Sequence, residues 1–170
     1  MKKIVAILMA LCLLTGFAMA EELNWSDYEG LIAEYNLEGE FKEISDIGVK
    51  MFIPSYFQEV ELSDEDQSNG YFCYMTNADQ TAVIAMIYAD GEGKTLDDYA
   101  AMLPDLGAAD VEQGTINNIP VVTYEMPEND SVNVAFATDG GYIIEFVFNP
   151  ASDESVKTVA FIMTASIQPV

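Results

Sequence analysis

Histidine and arginine are both absent from the 170 residues, and the only strong bases are Lys2, Lys3, Lys42, Lys50, Lys94 and Lys157. Without histidine there is no Ser-His-Asp or Cys-His arrangement and no histidine-based zinc site. Without arginine, a phosphate clamp would rest on lysine alone. Cysteine occurs only at Cys12 and Cys73. Cys12 lies in a segment expected to be removed, and Cys73 alone can form neither an intramolecular disulfide nor a thiolate metal cluster. Stability must therefore come from a packed core, which a chain of this size can bury. Cys73 sits in an alternating strand pattern with no cation beside it in sequence, so it reads as a small buried hydrophobe and not as a reactive thiol.

Long hydrophobic runs are also missing, apart from Ile4 to Phe17. That run is shorter than the roughly 20 residues a membrane helix needs. Lys2 and Lys3 precede it and Ala18-Met19-Ala20 follows it, the pattern of a secretory signal cleaved after Ala20. Leu11 stands before Cys12, where a lipoprotein would carry a small residue, so simple cleavage is the expectation. The product begins at Glu21, is secreted to an extracellular or periplasmic location, and does not insert in a membrane.

All 29 acidic residues lie beyond Ala20, where only four lysines remain, so the mature formal charge is −25. Nucleic acid is disfavoured as a partner, because binding needs cations to replace counterions at phosphates. Anionic membrane surfaces are disfavoured for the same reason. Such acidity serves solubility and self-repulsion first. Its more specific readings are an unknown protein or cationic partner, or Ca²⁺.

Hydrophobic periodicity assigns the elements. Tyr142 to Phe148 is apolar on one face (Tyr142, Ile144, Phe146, Phe148) and mostly apolar on the other (Ile143, Glu145, Val147), so it needs cover on both. Asp139-Gly140 is a hairpin signal that pairs it with Val132 to Thr138. There, small residues at Ala135 and Ala137 let a helix approach. A helix is expected from about Ser152, as N-cap, to Ser166, with Val156, Val159, Ala160, Met163 and Ile167 facing the sheet. Upstream, Glu21 to Asn36 reads as a helix with a Ser26/Glu29 capping box, and Gly39 helps end it. Strands follow at 41–44, 49–53, 71–76 and 82–89, with a further extended piece at 57–62. Ser63 to Gly70 reads as an acidic loop. Thr95 and Asp98 cap a helix whose buried stripe is Leu96, Tyr99, Ala100 and Leu103. Strands at 109–115 and 120–126 are joined by an Asn117-Asn118 turn. The expected organisation is a signal at 1–20, a helical lead segment at 21–38 and a single domain at 39–170. Its class is α+β: a central antiparallel sheet with helices packed on both faces.

Four stretches then resemble the PsbP-like superfamily, that of the photosystem II extrinsic subunit P and its relatives. They are Ile47-Gly48-Val49-Lys50-Met51-Phe52-Ile53-Pro54-Ser55, Thr95-Leu96-Asp97-Asp98-Tyr99-Ala100, Ile116-Asn117-Asn118-Ile119-Pro120 and Ile162-Met163-Thr164-Ala165-Ser166-Ile167. The resemblance spans about residues 40–168. It implies an α/β/α sandwich and a mostly non-enzymatic role in binding or stabilising partners, and it places no partner-binding residue in this chain.

Few residues suggest chemistry. Gly91-Glu92-Gly93-Lys94-Thr95 lacks the first glycine of a phosphate-binding loop, which would fall at Tyr88. Asp64, Asp66 and Ser68 place oxygens at alternating positions as calcium loops do, but the glycine falls one residue late and Met75 stands where the closing glutamate belongs. Glu145 is the best single candidate for a carboxylate of altered pKa, a lone acid on an apolar strand. Its bland alternatives are an exposed position or a pair with Lys157. Nothing identifies the second acid that glycoside hydrolysis needs. Tyr71, Phe72, Tyr74, Tyr142, Phe146 and Phe148 read as core before they read as pocket. The expected role is a secreted, non-catalytic binding or scaffolding domain without a cofactor. The rival is a hydrolase using carboxylates, with or without Ca²⁺.

Overall fold

The computed structural model describes residues 22–89, 93–138 and 141–170. The expected signal segment, Gly91-Glu92 of the glycine-rich turn and Asp139-Gly140 of the hairpin signal lie outside the described residues. Two sheets form. The larger has the order β1-β7-β8-β9-β10-β6-β5-β4, with β1 (Glu22–Leu23), β4 (Gln58–Glu59), β5 (Tyr71–Thr76), β6 (Val83–Ala89), β7 (Ala109–Ile116), β8 (Ile119–Met126), β9 (Ser131–Ala137) and β10 (Ile143–Asn149). The smaller has the order β11-β3-β2, with β2 (Gly39–Ile44), β3 (Val49–Pro54) and β11 (Gln168–Pro169). Every pairing is antiparallel except β1 with β7. Short connections allow little else.

β10 sits between β9 and β6, well inside the sheet. Ile144, Phe146 and Phe148 enter the main core, where Phe146 meets Phe136 edge to face at 5.4 Å. Ile143 belongs to a second, smaller core on the opposite face. Tyr142, expected at the head of this strand, precedes it and is 60% exposed. Its ring meets that of Tyr88 edge to face at 6.1 Å.

Of the four α-helices among the described residues, α4 (Glu154–Ala165) is the longest. Its N-cap is Asp153, whose carboxylate accepts from the Ser155 amide at 2.8 Å. Ser152, the expected cap, instead donates its amide and hydroxyl to the Asp130 carboxylate. The expected single apolar stripe is also too narrow. Every residue from Val159 to Ile167 is buried, because the helix lies between the large sheet and the small one. A helix that is apolar all round is a buried helix, and Phe161, Ile162 and Ala165 complete the circumference. Ser166 closes this layer, accepting from the Phe52 amide at 2.8 Å and donating to the Met163 carbonyl at 2.6 Å.

The lead segment is not one helix. β1 is followed by a 3₁₀ turn (Trp25–Asp27) and then α1 (Gly30–Glu34), and α1 has no side-chain cap. The Trp25 amide instead donates to Asn117 Oδ1 at 2.7 Å, which draws the segment onto the domain. Leu31 is buried, and Tyr28 packs edge to face on Phe161 at 5.2 Å. Gly39 opens β2 and does not terminate a helix. A Cβ there would lie 2.5 Å from the Ile53 carbonyl oxygen, so a side chain would push the small sheet apart. The acidic stretch is also helical: α2 (Asp64–Ser68) starts at a Ser63/Asp66 capping box. Turn-forming serine and aspartate are also the residues that start helices.

α3 (Leu96–Met102) carries the capping box of Thr95 and Asp98 and continues as a 3₁₀ turn (Leu103–Leu106) ending at Gly107, φ 91°. Tyr99, Ala100 and Leu103 pack on Val122, Tyr124, Ala135 and Ile143. The layers are therefore small sheet, α4, large sheet and α3.

Candidate functional site

α3 covers the large sheet over β7, β8 and β9. Its contacts concentrate on these three strands. Two cross-strand rows on this face follow from the register. One runs Val122, Ala135, Glu145, Ile87 and Tyr71; the other runs Tyr124, Asn133, Val147, Ala85 and Tyr74. Opposed residues in an antiparallel pair share a face. The uncovered half of the face is a groove of about 570 Å³, walled by α3 on one side and by Tyr71 and Tyr74 on the other.

A β-bulge produces the tyrosine wall. Strict alternation would put Tyr71 and Cys73 on one face and Phe72 and Tyr74 on the other. The register shifts between Tyr71 and Cys73, so one residue of β5 goes unpaired. Tyr71 and Tyr74 therefore both face the groove, while Phe72 and Cys73 pack on the main core. Burial pushes the Cys73 thiol up to about 11, Glu59 adds to the rise, and Lys42 opposes it. Phe146 and Phe148 are core, as expected for strand aromatics.

Glu145 is the one carboxylate in the groove's lining, which contains no lysine. It is neither exposed nor paired with Lys157, which meets Glu125 at 3.5 Å on the other face. Tyr124 donates its hydroxyl to Glu145 Oε1. Asn133 Nδ2 donates to the same oxygen at 2.8 Å. The Tyr99 hydroxyl, brought in by α3, lies 3.2 Å from that of Tyr124. Burial raises the Glu145 pKa above the ordinary carboxylate range, and hydrogen bonds from Tyr124, Tyr99 and Asn133 pull it back. The phenols of Tyr124 and Tyr99 are raised as well, by burial first and then by the neighbouring carboxyl group. Asn133 is 3% exposed, and its Oδ1 has no hydrogen-bond partner among the described residues. A buried amide oxygen without a donor costs about 1–3 kcal/mol.

The sequence singles out Glu145 but not its partners. Asn133, Tyr124 and Tyr99 come from two other strands and a helix, and only the register joins them. The sole local signal was Asn133, polar on a face otherwise made of Ala135 and Ala137. Asp64, Asp66 and Ser68 lie along α2. The Asp66 carboxylate accepts from the Ser63 amide at 3.0 Å and the Ser63 hydroxyl at 2.6 Å, which lowers its pKa. The Ser68 hydroxyl is turned back to the Asp64 carbonyl at 2.7 Å. No group of three or more metal-ligating side chains occurs among the described residues. A second concavity, of about 870 Å³, adjoins Thr138 and Tyr142 on either side of the undescribed residues 139–140. No described helix is long and apolar enough to cross a membrane.

The architecture is that of the PsbP-like fold: a mostly antiparallel sheet with helical layers on both faces. Among solved structures, that of cyanobacterial PsbP (CyanoP) from Synechocystis matches with a TM-score of 0.56, covering 77% of this chain and 92% of that one. Identity is 11%, so the likeness is one of fold. No protein-family model and no curated protein matches the sequence.

Proposed function

We propose that this is a secreted, non-catalytic binding domain that takes its ligand in the groove between α3 and β5. The observation that carries the reading is a half-covered sheet face with tyrosine and aliphatic walls and a few converging polar groups. Ligand sites in folded domains have that make-up and that size. The lone carboxylate argues against the hydrolase. Cleaving a glycosidic bond takes two carboxyl groups on opposite sides of it, and the lining supplies Glu145 alone. The resemblance to cyanobacterial PsbP supports an accessory role but supplies no ligand. The leader-like start and the extreme acidity support a place outside the cell.

A fragment screen by two-dimensional NMR on the 21–170 chain tests this. Hits are expected to shift amides of β5, β6 and β10, and Ala85→Trp, which fills the groove, should remove those shifts. Chromogenic glycosides and esters should remain intact. Turnover that disappears in Glu145→Gln would move the protein to the enzymes. A screen with no groove hits would end the binding reading.

A further inference from the structure

We infer that the groove's ligand is a small organic primary ammonium compound with an apolar body, its charged end seated against Glu145. The inference rests on the binding reading above and supplies the ligand's chemical class. Three observations carry it.

The first is charge complementarity. The groove holds one acidic side chain and no basic one, inside a chain of formal charge −23. An anion would meet no counter-charge there. A cation would meet Glu145 at short range in a site partly shielded from water, where charge pairing is stronger than at an open surface.

The second is the distribution of donors. Tyr124 and Asn133 both donate to Oε1 of Glu145 and neither donates to Oε2, while Tyr99 adds a hydrogen bond to the same carboxyl group. Glu145 can accept further hydrogen bonds at Oε2. A primary ammonium group brings three N–H donors on one atom and can serve that carboxyl group. A quaternary ammonium brings none.

The third is the wall. Tyr71, Tyr74, Tyr99 and Tyr124 line the groove with Val83, Ile87 and Val147. Tyrosine faces attract cations, and the aliphatic strand residues suit an apolar body. The volume suits a small molecule, so the assignment is to a free amine and not to a lysine on a folded partner.

The probe is 2-phenylethylamine, with 2-phenylethanol as its uncharged counterpart, each titrated by calorimetry into the folded 21–170 chain. The amine is expected to bind about tenfold tighter or better, the gain of a charge-assisted hydrogen bond over a neutral one. Glu145→Gln should bring the two affinities together, and Tyr74→Ala should weaken both. The comparison of amine with alcohol on the unsubstituted protein needs no variant to fold. Equal affinity for the two probes, or an amine preference untouched by Glu145→Gln in a variant that melts like the parent, overturns the inference. So does tighter binding of Nα-acetyl-lysine methylamide, which would point to a protein lysine. If neither probe binds while other fragments shift groove amides, the ammonium assignment fails and the binding domain stands. If no fragment binds either, both fall.

Discussion

At Glu145, burial and hydrogen bonding act in opposite directions, and burial is the larger cause. Its pKa is raised in the folded state, so between the ordinary glutamate range and that raised value the folded protein holds more protons than the unfolded one. Stability contributed by this group is full at low pH and is lost as pH rises through the folded pKa. The cap residues Asp66, Asp98 and Asp153 have lowered values, caused first by side-chain hydrogen bonds from their cap partners. They act the other way, and their contribution is lost as pH falls. Glu145→Gln keeps an acceptor for Tyr124 but removes the titration. Its melting temperature relative to the parent is therefore expected to rise between pH 5 and pH 8. A difference that stays flat across that range would show that burial does not perturb this carboxyl group. Cys73 follows the same logic of burial and reads as core, on the main-core side of the bulge.

Among the elements, the turn between β7 and β8 joins three parts of the chain. Asn117 and Asn118 both adopt positive φ, 47° and 68°, as a tight hairpin turn requires. The Asn117 side chain does more than shape the turn. Its Oδ1 accepts from the Trp25 amide, and its Nδ2 donates to the carbonyls of Ala165 at 2.9 Å and Ile167 at 2.6 Å. One amide thus ties the lead segment, the central sheet and the end of α4. Asn117→Gly keeps the backbone conformation accessible and removes all three bonds, so a loss of about 2–3 kcal/mol in urea unfolding is expected. A change below about 0.5 kcal/mol would mean that the turn conformation alone mattered. Helix starts were legible where the capping chemistry is local, as at Thr95 and Asp98. They were misread where a distant group competes, as at Ser152, which Asp130 takes.

For the molecule as a whole, self-repulsion among 29 acidic residues opposes compaction. Sodium chloride from about 20 to 300 mM screens that repulsion and is expected to raise the melting temperature. Calcium at matched ionic strength should add little if Asp66 keeps its cap to Ser63. A specific gain with Ca²⁺, reversed by chelator, would mean that Asp64, Asp66 and Ser68 bind the ion at the expense of the α2 start.

By itself the sequence determined the number and order of most strands, the two-sided apolar character of β10, the absence of histidine and arginine chemistry, and the singularity of Glu145. Period-two and period-3.6 patterns and cap residues are local, and composition needs no fold. Only the tertiary structure decided that α4 is enclosed by two sheets, that α3 packs over β7, β8 and β9 beside an open groove, and that a bulge turns Tyr71 and Tyr74 the same way. It also decided which residues surround Glu145, because register and helix length set contacts between residues far apart in the chain. No local pattern encodes those contacts.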